Sequence, residues 1–163
     1  MSSITYQFEY EVFDSIDNLM PADALLLQKA REVTADAYAP YSQFHVGAAA
    51  SLVNGVILTG SNQENASSPA GICAERVLLS AISALHPGIP ITTMAVSFNS
   101  KLTSVDNPIT PCGICRQTLQ EYEFRLQRPI RLVLSGTTGP VWVIQAASML
   151  LPLSFTNQDL AGL

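Results

Sequence analysis

Residues 68–85 read SPAGICAERVLLSAISAL, and residues 111–124 read PCGICRQTLQEYEF. Each stretch sets a cysteine where a helix begins: Cys73 in the first, Cys112 and Cys115 in the second. These are the only cysteines among 163 residues. The first helix is stopped by His86-Pro87-Gly88 and is reached through the loop NQENASSPAG, residues 62–71. Before that loop, FHVGAAASLV (44–53) and VILTGS (56–61) flank Asn54-Gly55 and read as a hairpin.

Between the two helices lie ITTMAVSFN (91–99), read as a strand, and a polar, proline-containing loop over 100–111. IRLVLS (130–135) and VWVIQ (141–145), separated by GTTGP, are the last strands, followed by a short helix and tail. Near the start, ITYQFEYEVF (4–13) alternates aromatic and polar residues, as a strand or extended arm does. Pro21 opens a helix through Ala37, with Leu25, Leu26, Ala30 and Val33 at helical spacing, and YAPYS (38–42) ends it. From the hairpin onward the order β-β-α-β-α-β-β predicts an α/β layer fold, one sheet with helices packed on it.

An odd cysteine count with one C-x-x-C pair does not make a disulfide framework and points to metal or redox use in a reducing compartment. MSSITYQFEYEVFDS lacks the basic patch and apolar run of a signal peptide, and no apolar stretch reaches transmembrane length. The expectation is a soluble cytoplasmic protein with no membrane partner. A net charge of −5 with no basic run argues against a nucleic-acid partner. Charged residues are 13% of the chain, about half of the usual ~25%, which points to surface buried between subunits.

Cys112 and Cys115 stand three residues apart on one helix, a rotation of roughly 300° and a rise of ~4.5 Å, so both sulfurs share a face. Cys73 from the other helix would complete a three-thiolate set, and catalytic zinc takes three protein ligands with the fourth position open. A helix N-terminus favours the thiolate form. Three thiolates around Zn²⁺ leave a net −1. Arg76, on the same helix face as Cys73, is placed to offset it; a surface arginine is the alternative. Glu75 lies within reach of the vacant metal position as a proton carrier, although acidic residues are common in first turns for the dipole alone. A redox C-x-x-C leaves Cys73 unexplained, and a closed structural zinc site lacks a fourth ligand.

CAER followed by PCGICRQ closely resembles the zinc-dependent cytidine deaminases, in their short homotetrameric form with three cysteine ligands. The resemblance runs from about Leu25 to LLPLSF (150–155) and includes AYAPYSQFHVGAAA and NQENAS in the family order. It implies a three-layer α/β/α fold around a five-stranded mixed sheet, with residues 1–20 an N-terminal strand or arm and residues 21–163 the catalytic domain. It further implies one zinc per chain on Cys73, Cys112 and Cys115, with Arg76 beside them and Glu75 shuttling protons. Zinc-bound hydroxide would then convert cytidine and deoxycytidine to uridine and deoxyuridine plus ammonia in pyrimidine salvage.

Phe44 matches the aromatic residue that packs on the pyrimidine, the Ala74 N–H the group that holds O2, and Asn62 and Glu64 the pair that holds the ribose 3′-hydroxyl. Many members carry a tyrosine, lining a neighbouring subunit's pocket, where this chain has Ser68. That departure bears on the sugar and keeps open a modified cytosine nucleoside such as blasticidin S as substrate. A zinc-binding module without catalysis is the reading of another class, and the presence of Glu75 weighs against it. Phe155 is a candidate to cross between subunits.

Overall fold

The computed structural model describes residues 1–100 and 107–160. The loop read over 100–111 and the C-terminal tail fall partly outside the described residues, at 101–106 and 161–163. Six strands form one sheet: β1 (Glu11–Phe13), β2 (Phe44–Leu52), β3 (Ile57–Ser61), β4 (Ile91–Ser100), β5 (Arg131–Ser135) and β6 (Val141–Ile144). Among the described residues three α-helices accompany it: α1 (Pro21–Glu32), α2 (Ala74–Leu85) and α3 (Gly113–Leu126). The spatial order is β1-β6-β5-β4-β2-β3, antiparallel throughout except for the β4–β5 pair.

The expected count of five strands is corrected to six. The added strand is β1, where Glu11, Val12 and Phe13 pair with Val143, Trp142 and Val141. Alternation along residues 4–13 requires extended chain, but only these three residues find a sheet edge to pair with.

Strand alternation sorts the apolar residues into two layers of core. Ala49, Ala95, Val133 and Val143 line up across β2, β4, β5 and β6 and meet Leu26, Leu27 and Ala30 of α1. The alternate residues Ala48, Ala50, Met94, Val96, Leu132 and Leu134 face Leu78, Leu79, Ile82 and Leu119 of α2 and α3. The result is the expected α/β/α sandwich. Leu27, not Leu25, joins the α1 face; Leu25 is exposed. The first helix is also shorter than expected, because it tightens into a 3₁₀ turn at Val33–Asp36, where the Thr34 hydroxyl donates back to the Arg31 carbonyl.

Two glycines set the closeness of these layers. A Cβ at Gly47 would lie 2.1 Å from the Ala30 carbonyl oxygen, and one at Gly60 would lie 2.8 Å from the Leu78 nitrogen. They face opposite sides of the β2–β3 hairpin, so α1 and α2 both reach van der Waals contact with backbone. The approach of α2 to β3 brings Cys73 beside the start of β2 and the 62–64 loop.

Candidate active site

Cys73 and Cys112 occupy the N-cap positions of α2 and α3, and neither makes a side-chain capping hydrogen bond. A serine or aspartate there would turn back onto the first-turn N–H groups. The sulfurs instead point at one another across the two helix starts. Cys73 Sγ lies 3.7 Å from Cys112 Sγ, and Cys112 Sγ lies 3.5 Å from Cys115 Sγ. All three sulfurs fall within 4.8 Å of one another. A tetrahedron with zinc–sulfur bonds of ~2.3 Å has sulfur–sulfur edges of ~3.8 Å, so this donor set fits one zinc ion. Among the described residues no histidine or carboxylate joins the group, which leaves a fourth position free of protein ligands.

Two of the thiols are shifted in opposite directions. The hydrogen bond from Cys115 lowers the Cys73 pKa to about 6; Cys112 and the positive charge of Arg76 act in the same direction, against the cost of burial. Cys73 is therefore more readily ionised than Cys115. Cys115 is wholly buried and its pKa is driven up, first by that hydrogen bond to Cys73 and then by burial. A cation bound at the set displaces the protons that these thiols carry.

A cavity of about 490 Å³ opens above the sulfurs, lined by Phe44, Asn62, Glu64, Cys73, Ala74, Glu75 and Cys112 among others. This volume is within the usual range for small-molecule sites. Glu75, in the first turn of α2, is 5% exposed, and burial pushes its carboxyl pKa up. Phe44 stacks on the buried Phe98, with ring centroids 5.0 Å apart and 12° between planes. The far side of the cavity is a hydrogen-bonded frame. Asn62 Oδ1 accepts from the Val46 N–H at 2.7 Å while its Nδ2 donates to the Phe44 carbonyl at 3.0 Å. Glu64 Oε2 accepts from the N–H groups of Tyr41 and Ser42 at 2.9 and 3.3 Å. The Ser42 hydroxyl and these N–H groups hold the Glu64 carboxylate below the usual range.

Of the site residues read from sequence, Arg76 and Cys115 do not line the cavity. Cys115 sits behind it in the sulfur cluster, and Arg76 acts on it through charge. Ser68 is exposed and is not part of the cavity wall. Phe155 is exposed too, its carbonyl accepting from Gln117 Nε2. The sequence reading missed Ser42, Ile109 and Thr110 in the wall, and Arg116 behind it. Arg116 follows Cys115 directly and donates to the Pro111 carbonyl, the Leu150 carbonyl and Thr110 Oγ1 at 2.7, 3.0 and 2.9 Å. Its place next to a candidate ligand was the available signal.

Residues 20–128 match the family described as the cytidine and deoxycytidylate deaminase zinc-binding region. The chain belongs to the zinc-dependent cytidine deaminase family. It is 34% identical over 137 residues to cytidine deaminase of Halalkalibacterium halodurans, covering 83% of this chain and 96% of that protein. It is 33% identical over 128 residues to a probable cytidine deaminase of Dictyostelium discoideum, covering 76% and 77% of the two chains. The crystal structure of cytidine deaminase from Burkholderia pseudomallei superimposes with a TM-score of 0.70 at 37% identity, over 80% of this chain and 97% of that one. No helix among the described residues is long and apolar enough to cross a membrane.

Proposed function

We propose that this deaminase hydrolyses cytidine and deoxycytidine to uridine and deoxyuridine plus ammonia, as a step of pyrimidine salvage in the cytoplasm. The observation that carries the reading is the buried Glu75 carboxyl beside three clustered sulfurs at the floor of a nucleoside-sized cavity. Cys73, Cys112 and Cys115 would hold one zinc ion, which when bound supplies Lewis-acid activation of a water.

The chain's own residues then divide the work. Phe44, held flat by Phe98, offers its face to the pyrimidine. The Ala74 N–H, at the first position of α2, has no intrahelical acceptor and donates to the pyrimidine O2. Asn62 and Glu64 retain unused donor and acceptor capacity beyond their backbone bonds, and these hold the ribose 3′-hydroxyl. Glu75 takes one proton from the attacking water and gives it to N3 as the C4–O bond forms. It then takes the remaining hydroxyl proton and gives it to the amine as the C4 carbonyl forms and the C4–N bond breaks, releasing ammonia. Its raised pKa suits the return of protons, since the buried carboxyl readily takes the protonated form. Arg76 reduces the net negative charge of three thiolates around a dication.

An ultraviolet assay with cytidine, deoxycytidine and blasticidin S tests the reading. Turnover of the two nucleosides is expected; turnover of blasticidin S alone would transfer the activity to modified nucleosides. The low charged fraction, 13%, further supports a homotetramer. Light scattering at micromolar concentration should give the mass of four chains, and a monomer would contradict it.

Ser68 bears on the sugar side. It is exposed at the start of a short 3₁₀ turn, Ser68–Ala70, so it can reach a pocket only across a subunit boundary. Ser68→Tyr should then change KM for cytidine by roughly tenfold or less and kcat by less, because one hydrogen bond is worth about 0.5–1.5 kcal/mol. Unchanged KM for every nucleoside would remove this residue from the pocket.

A further inference from the structure

The N-terminal arm and Arg116 meet at a depression whose lining shares no residue with the cavity. Tyr6, Phe8 and Tyr10 form a ladder of tilted rings that ends on Trp142 of β6, with centroid spacings of 6.5, 6.3 and 5.4 Å. At the start of this ladder the Tyr6 hydroxyl donates to the Met149 carbonyl at 2.9 Å. The next carbonyl along, that of Leu150, accepts from Arg116 Nη1 at 3.0 Å. Tyr6, Gln7 and Phe8 line the depression together with Arg116, Met149 and Leu150.

Arg116 faces two ways. One nitrogen holds the 147–150 turn, while Nε and Nη2 hold the Pro111 carbonyl and the Thr110 hydroxyl. Thr110 lines the cavity, and Pro111 immediately precedes Cys112. The planar guanidinium makes these bonds in three different directions, which an ammonium on a flexible stem cannot reproduce. A continuous chain of contacts therefore runs from the arm through two consecutive carbonyls and one guanidinium to the cavity wall.

We propose that Arg116 is a positioning residue for the cavity wall at 109–112 and for Cys112, and that the N-terminal arm braces it by holding Met149. The inference rests on the cavity being the cytidine site. It gives residues 4–10 a function in the reaction, although they touch neither the sulfurs nor the cavity. Arg116 does not line the cavity; it acts through Thr110, Pro111 and Cys112.

A double-mutant cycle on the full-length, zinc-loaded protein tests this, with Tyr6→Phe, Arg116→Lys and the pair. Tyr6 is about half exposed, so Tyr6→Phe removes one hydroxyl without disturbing the core. Three quantities are read: KM and kcat for cytidine, the rate of zinc loss to a chelator, and the thermal midpoint. Arg116→Lys is expected to raise KM and the rate of zinc loss roughly tenfold each, with kcat changing less. Tyr6→Phe should move both in the same direction by about threefold, the effect of one hydrogen bond. The double variant should be no worse than Arg116→Lys, because Tyr6 acts through Arg116.

A lowered thermal midpoint with KM and zinc loss unchanged would mean that Arg116 only supports the fold, and would overturn the proposal. Effects of the two substitutions that simply multiply would also overturn it, since the arm and Arg116 would then act separately. If the unmodified protein does not turn over cytidine, the assigned reaction fails, while the zinc-loss measurements still decide whether the brace exists.

Discussion

Glu75→Gln should keep its zinc and its fold and lose turnover by a factor on the order of 10²–10⁴. Glutamine has the size and much of the hydrogen-bonding capacity of glutamate, so the 5%-exposed site at the start of α2 stays filled. The substituted group is not one of the three sulfurs, so metal content should remain at one per chain. What the amide cannot do is carry one proton from the attacking water to N3 and a second from the C4 hydroxyl to the amine. The effect should therefore fall on kcat, with KM changing much less. The competing explanation of Glu75 is the helix dipole alone, since acidic residues favour first turns. Under that explanation the variant would lose a little stability and keep nearly all its activity. Steady-state kinetics with metal analysis on the same preparation separates the two, and near-normal turnover would refute the proton-transfer role.

Cys112→Ala should abolish zinc binding and with it both activity and the stability that zinc confers. Cys112 is the informative member of the set because its position is exposed, whereas Cys115 is wholly buried. Truncating Cys115 opens a cavity in the core and destabilises for that reason alone. Truncating Cys112 removes little packing, so a loss of stability there reports the metal. A ligand that binds only the folded chain stabilises it in proportion to the logarithm of its concentration over Kd. Added zinc should therefore raise the thermal midpoint of the unmodified protein but not of Cys112→Ala, and the two should coincide when metal is stripped. A zinc-dependent midpoint that survives in Cys112→Ala would place the ion elsewhere.

The parts of the fold that sequence made legible were those governed by local chemistry. Asn54-Gly55 between two apolar runs marked the β2–β3 hairpin, with Gly55 at φ +83°. His86-Pro87-Gly88 marked the end of α2, and Cys73 and Cys112 marked helix starts that the structure places at N-cap positions. Of the sixth strand the extended character was legible, but not its place in the sheet. Alternation over residues 4–13 says that the chain is extended, but pairing at Glu11–Phe13 depends on the free edge of β6, which is separated by more than a hundred residues. Nor could helical spacing separate Leu25 from Leu27, because the stripe facing the sheet is set by how α1 rests on Gly47.

The candidate site shows the same division. Residue types that carry chemistry, such as three cysteines, a first-turn glutamate and the Asn62–Glu64 pair, stand out in the sequence before any coordinates. Arg116 and Phe98 do not, since each acts by holding another residue: Phe98 lies behind Phe44, and Arg116 behind Thr110 and Pro111. Their roles depend on tertiary neighbours, from β2 and β4 in one case and from α3 and the 147–150 turn in the other.

The measurement that bears most directly on the assigned reaction is product stoichiometry in metal-stripped and zinc-restored protein. Cytidine is supplied in excess, and uridine and ammonia are quantified together with bound zinc. The expected result is no turnover without metal, recovery in proportion to zinc up to one ion per chain, and one ammonia for each uridine formed. Folded protein that carries one zinc per chain and converts neither cytidine nor deoxycytidine would contradict the assignment.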